Sequence, residues 1–100
     1  MNNQNFFILI EETLLLTEGA ANLYIIYYDK YNELWPQTEK EIAKETLGTL
    51  TIFCYQLMNL WSNSFDISGM INSGKESLLN QIEMIKQFSE EVFSQIKEFV

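Results

Sequence analysis

Gly69-Met70-Ile71-Asn72-Ser73-Gly74-Lys75 fits the first seven positions of a phosphate-binding loop, G-x-x-x-x-G-K-[ST]. In such a loop the backbone wraps the phosphates, the lysine reaches them and the closing hydroxyl holds magnesium. The eighth position here is Glu76, whose carboxylate would face the phosphates it should help bind. No strand pattern precedes the segment, so the match is read as coincidence. Residues Asn63 to Gly69 likewise carry the turn formers of a calcium loop without its Asp-x-Asp-x-Asp-Gly order.

Acid–base and nucleophilic chemistry have little to stand on. The chain contains no histidine, which removes His-based triads, dyads and zinc sites. Two carboxylate pairs at helical spacing, Asp29 with Glu33 and Glu41 with Glu45, could divide acid and base roles if one partner were desolvated. Lys30 and Lys44 lie close by and no glycine-rich or polar pocket accompanies them, so both pairs read as solvated faces. Cys54, the only cysteine, falls on an apolar stripe and reads as inert core; it can form no internal disulfide, and a reducing compartment suits the chain. No cofactor, metal or catalytic residue is expected.

The elements that carry these residues read as four helices. The first runs from about Asn5 to Thr17, with Phe6, Leu9, Ile10, Leu14 and Leu16 on its apolar face and Gly19 as its cap. The second runs from about Ala20 to Leu34 and is stopped by Pro36; Tyr24, Tyr27, Tyr31, Leu34 and Trp35 share one stripe of it. The third opens with a capping box, Thr38-Glu39-Lys40-Glu41, and repeats Ala43, Leu47, Leu50, Cys54, Leu57 and Trp61 at helical spacing. A loop from Ser62 to Asn72 leads to a second capping box, Ser73-Gly74-Lys75-Glu76. The last helix lines up Leu78, Ile82, Ile85, Val92, Ile96 and Phe99 against Glu83, Gln87, Glu90, Ser94 and Glu98. With mostly short connections, the expected fold is an all-α, four-helix antiparallel bundle forming a single domain over residues 1–100.

Charge narrows the partner. Fourteen acidic residues against six lysines, with no arginine, give a net charge of −8, which argues against direct contact with nucleic acid or an anionic membrane and favours a basic protein partner, unless the charge serves mainly to keep the domain soluble. Thr46 to Phe65 is uncharged, but Tyr55, Gln56, Asn59, Ser62, Asn63 and Ser64 make it too polar to cross a membrane, and a central buried helix explains it better. Met1 to Asn5 lack the basic residues of a signal peptide, and Glu11 and Glu12 break the apolar run that follows; a cytoplasmic protein is expected.

Two helix faces are left for binding. Opposite the tyrosine stripe, Ile25 and Ile26 lie among Asn22, Asp29, Asn32 and Glu33, a small greasy centre with a charged rim, unless neighbouring helices bury it. Tyr28 and Trp35 at the stripe's margin are of the types that serve as hot spots. On the third helix Gly48, Ile52, Tyr55 and Asn59 form a back face that could be a homodimer seam, a partner site or a contact with the first helix; burial within the bundle is preferred.

Several of these features resemble the colicin D immunity protein family, acidic helical bundles that neutralise tRNA-cleaving toxins. Gly19-Ala20-Ala21-Asn22-Leu23-Tyr24 is similar to that family's small-residue start of the second helix, although Ala20 stands where threonine is common. Tyr31 and Trp35 resemble its aromatic close, Leu47, Leu50 and Phe53 its third-helix apolar run, Asp66 the acid after that helix, and Leu78, Leu79, Ile82 and Ile85 the closing helix. The likeness covers about Phe7 to Phe88. It implies an acidic surface that plugs the basic RNA-binding cleft of a nuclease toxin by charge mimicry and steric block, without itself assigning binding residues. The candidates for contact are Ile25, Ile26, Tyr28, Asp29, Glu33, Trp35 and Asp66. Another acidic adaptor, a phage-encoded antagonist of a nucleic-acid enzyme, or a homo-oligomeric structural module are the alternatives.

Overall fold

The computed structural model of the chain describes residues 3–63 and 72–99, and these hold three α-helices. Helix α1 spans Asn3–Tyr31 and passes through a short 3-10 turn, Asn32–Leu34; α2 spans Gln37–Ser62; α3 spans Asn72–Ile96 and ends in a second 3-10 turn, Lys97–Phe99. The all-α expectation holds, but the four-helix bundle does not. The two helices expected over 5–17 and 20–34 are one.

The reason lies in a seam that apolarity alone conceals. On α1 the buried positions are Phe6, Ile10, Thr13, Thr17, Ala20 and Tyr24, and the half-buried Tyr27 and Tyr31 extend their alternating spacing of four and three. This is the repeat of about 3.5 residues that keeps one seam facing its neighbours in coiled-coil packing. The seam passes Gly19 without interruption, because Gly19 points outward and no glycine among the described residues has a positive φ. A mid-helix glycine costs about 1 kcal/mol relative to alanine. Burying Ala20 and Tyr24 on the same seam outweighs that. On α3 Leu78, Ile82, Ile85, Ser89, Val92, Ile96 and Phe99 repeat the same spacing, and on α2 the buried residues are Ala43, Leu50 and Leu57, one heptad apart.

Cross-helix contacts set the directions. The Trp61 Nε1–H donates to the Glu11 Oε1 at 3.1 Å, so α2 runs antiparallel to α1. The Thr17 hydroxyl meets that of Ser89 at 2.9 Å and the Tyr31 hydroxyl donates to the Phe99 carbonyl at 3.1 Å, so α3 runs parallel to α1. α1 is the spine on which the other two lie, and Phe53 and Phe88, ring centroids 5.5 Å apart, close the third side. The result is a rod of 50 × 21 × 18 Å.

The core has two halves and a polar waist. Phe6, Ile10, Leu57, Ile82 and Ile85 cluster towards one end; Ala20, Tyr24, Ala43, Leu50, Val92 and Ile96 cluster towards the other. Between them lie the buried Thr13, Thr17 and Ser89. The Thr17 Oγ1–H is placed to donate to the Thr13 carbonyl at 2.8 Å and the Ser89 Oγ–H to the Ile85 carbonyl at 2.8 Å, while the two hydroxyls also touch each other. Two protons serve three contacts, so one of the three is without a proton at any moment. The Thr13 hydroxyl is buried without a partner.

Several local expectations change. Thr38 is not a cap: α2 starts at Gln37 after Pro36, with no side-chain cap, and the Pro36 carbonyl accepts from the backbone of Glu39 and Lys40, each at 3.1 Å. Ser73 lies inside α3, which starts at Asn72. Leu34 leaves the tyrosine stripe and is 81% exposed, because the turn after Tyr31 is 3-10 and rotates it outward. The back face of α2 is exposed rather than buried, Ile52 at 56% and Tyr55 at 65%, since no fourth helix exists among the described residues to cover it. Most of the loop expected over Ser62 to Asn72 lies outside the described residues. No described helix is long and apolar enough to cross a membrane.

Candidate functional site

The end of α1 is built on an aromatic pedestal. Tyr27 is its hub, with ring centroids 5.8 Å from Tyr24, 5.4 Å from Tyr31, 5.2 Å from Trp35 and 5.7 Å from Phe99. These tilted and edge-on arrangements are the ones the ring quadrupole favours. Trp35 also meets Tyr28 edge-on at 5.8 Å, so the two residues expected as hot spots are half-buried in the pedestal and present only their margins. The Asn32 side-chain amide donates to the Tyr28 carbonyl at 2.8 Å and reaches that of Asp29 at 3.4 Å, closing the last turn of α1. Burial raises the Tyr24 phenol above its ordinary pKa, against the pull of the adjacent Thr46 hydroxyl.

On this base sit Ile25, 43% exposed, and Ile26, 55% exposed. Consecutive residues point about 100° apart on a helix, so the two flank a ridge. Asp29 lies one turn on from both and is exposed, as is Glu33 in the turn that follows. Both acids therefore stand at the C-terminal end of α1, the negative end of the helix dipole. Carboxylates there work against helix stability. The same placement adds their field to that of the helix end, offset in part by the exposed Lys30 in the same turn, on a stretch that also exposes the apolar side chains of Ile25, Ile26 and Leu34. Of the expected site residues, the fold thus brings Ile25, Ile26, Asp29 and Glu33 to one wet surface, with Tyr28 and Trp35 beneath. Asp66 lies outside the described residues. Leu34 escaped sequence reasoning because helical phase put it in the core; the Asn-Glu-Leu-Trp-Pro stretch, with its proline, was the available signal for a tightened turn.

Other candidates resolve differently. Gly69 to Ile71 lie outside the described residues, and Asn72 to Lys75 are helical. Asp29, Glu33, Glu41 and Glu45 are all exposed, so the desolvation that acid–base work needs is missing at both pairs. Cys54 is half-buried on the side of α2 facing α1; burial, with the Glu18 carboxylate adding to it, pushes its thiol pKa up. No group of three or more potential metal ligands occurs among the described residues. A groove of about 510 Å³ between α1 and α2 is lined by Glu11, Leu14, Leu15, Met58, Trp61 and Ser62. The segment Gly19 to Tyr24, which carried part of the family resemblance as a helix start, lies in mid-helix.

No family model, curated protein or solved structure matches this chain.

Proposed function

We propose that the protein acts by binding: the end of α1 docks on a basic protein partner and blocks it, as an immunity protein blocks the cationic cleft of a nuclease toxin. The observation that carries this is the placement of Asp29 and Glu33, exposed at the negative end of α1 beside exposed Ile25, Ile26 and Leu34. Acids in that position cost helix stability, and the exposed parts of these apolar side chains add nothing to the core, so the combination is explained by a surface selected for contact. A net charge of −8 steers a cationic partner towards it, and the isoleucines supply the desolvated centre that slows release. The reduced Cys54 suits action in the cytoplasm. No step of this role requires catalysis or a cofactor.

Affinity capture from the producing cells, at low and high salt, tests the proposal. Wild-type bait should retain a basic protein, with recovery falling as salt rises. Bait carrying Asp29→Lys and Glu33→Lys should associate more slowly and lose much of that salt dependence, because rim charges govern the on-rate. Ile26→Asp should instead speed dissociation while leaving the melting curve close to wild type. Equal capture by wild type and the double-lysine bait at every salt concentration would overturn the assignment of this surface. In that event the exposed acids of α3, Glu83, Glu90 and Glu91, become the surface to vary.

A further inference from the structure

We propose that the cleft between the end of α1 and the start of α2 is an arginine-binding pocket, which takes the guanidinium of another chain between aromatic rings and a carboxylate. The cleft measures about 220 Å³ and is lined by Tyr24, Tyr27, Trp35, Glu39, Ile42 and Ala43. Tyr24 and Ala43 are buried and make its floor, Tyr27 and Trp35 are half-buried walls, and Glu39 and Ile42 are exposed at its rim. Trp35 meets Tyr27 at 53° with ring centroids 5.2 Å apart, and Tyr24 meets Tyr27 at 68° and 5.8 Å, so the three rings stand as angled walls and do not stack flat on one another. The Trp35 wall is set by the chain itself: a residue before proline is confined to extended backbone, and Trp35 takes it, with φ −95° and ψ 143°.

The lining selects a cation, and among cations a guanidinium. Aromatic rings attract a cation held within about 6 Å of the centroid. This pedestal already carries one, since the Lys30 Nζ lies 5.3 Å from the centroid of Tyr31. No described lysine lines the cleft, and Glu39 is the charged residue that does. The start of α2 is the positive end of that helix and works against a cation; Glu39 in its first turn offsets this, and the negative end of α1 borders the same cleft. The net charge of −8 favours the approach of any cation. A guanidinium is planar, stacks on rings and carries N–H donors for the Glu39 carboxylate, whereas a quaternary ammonium has no donor and a lysine ammonium is held more strongly by water. At about 220 Å³ the cleft is smaller than the roughly 300–1,000 Å³ that encloses a whole small molecule, so it fits a single side chain.

Titration of the full chain with N-acetylarginine amide, followed by the indole N–H signals in two-dimensional NMR, tests this. The chain has two tryptophans, and Trp61→Phe identifies the signal of Trp35. That signal should shift saturably with the arginine probe. N-acetyllysine amide and tetramethylammonium should bind more weakly, and the uncharged N-acetylcitrulline amide should leave the signal in place. Glu39→Gln, at an exposed position where circular dichroism should report an unchanged fold, should weaken arginine binding about fivefold or more, the loss of a charge-assisted hydrogen bond. A Trp35 signal that does not shift saturably, or that shifts equally with the citrulline probe, overturns the pocket and needs no variant to do so. Tighter binding of lysine or tetramethylammonium overturns the guanidinium assignment, as does a folded Glu39→Gln chain that binds arginine like wild type. The cleft lies on the tyrosine side of α1, away from Ile25, Ile26, Asp29 and Glu33. At about 0.15 M salt, where exposed charges more than about 8 Å apart are screened, Asp29→Lys with Glu33→Lys should therefore leave the arginine shift in place. This proposal and the partner-binding one thus fail separately.

Discussion

Thr13→Val should make the protein more stable. Thr13 is 1% exposed on the seam of α1, and its hydroxyl has no hydrogen-bond partner. An unsatisfied buried hydroxyl costs about 1–3 kcal/mol, because the group regains water only on unfolding. Valine replaces that hydroxyl with a methyl of nearly the same shape and has a similar helix propensity. The gain should be about 1–2 kcal/mol, towards the lower part of that range since neighbours must accommodate the methyl. In a domain of this size each kcal/mol raises Tm by about 4–8 °C. Urea and thermal unfolding followed by far-ultraviolet circular dichroism measure it directly. Two companions sharpen the test. Thr13→Ala removes the methyl as well and opens a small void, so it should fall below the valine variant. Thr17→Val should bring no comparable gain, because the Thr17 hydroxyl is already satisfied by the Thr13 carbonyl and Ser89. A valine variant no more stable than wild type would refute the reasoning, and would mean that the Thr13 hydroxyl is paired or that the residue is not in the seam.

Gly19→Ala should stabilise by about 0.5–1 kcal/mol, since Gly19 is mid-helix and a β-carbon there meets nothing; destabilisation would show a left-handed cap and restore two separate helices. Leu50→Ala and Ile82→Ala, both fully buried, should each cost about 2–5 kcal/mol in denaturant unfolding, and losses near zero would mean that these helical faces are wrongly placed. Cys54 should react with a thiolate-directed alkylating reagent more slowly in the folded chain than in urea, and Glu18→Gln should speed the folded reaction; equal folded and unfolded rates would contradict the raised thiol pKa. Because that pKa is raised on folding, the contribution of Cys54 to stability is full below the unfolded thiol's pKa and lost as pH rises through the folded one, so a titration should show stability declining on the alkaline side.

The sequence by itself determined that this chain is helical, that a break falls near Pro36, and which residues line the inner face of the last helix. All three are local matters: the spacing of Ile82, Ile85, Val92 and Ile96 and the missing N–H of Pro36 act within a few residues of themselves. It determined as well that Ile25, Ile26, Asp29 and Glu33 share the side of their helix away from the tyrosines, and the structure leaves all four in solvent. The number of helices was decided only in three dimensions. Thr17 and Gly19 read as the end and cap of a first helix, yet Thr17 is buried, with Ser89, distant in sequence, opposite it and their hydroxyls in contact. No local pattern reports such a pairing. Merging two expected helices into one then removed the element that would have covered α2, which is why Ile52 and Tyr55, uncharged and helically spaced like any core pair, lie in water. Leu34 followed the same logic on a smaller scale: one tightened turn after Tyr31 changed its phase and carried it from the expected stripe to the surface. Whether a face is core or interface depends on what packs against it, and that is a property of the assembled helices, not of the residues along any one of them.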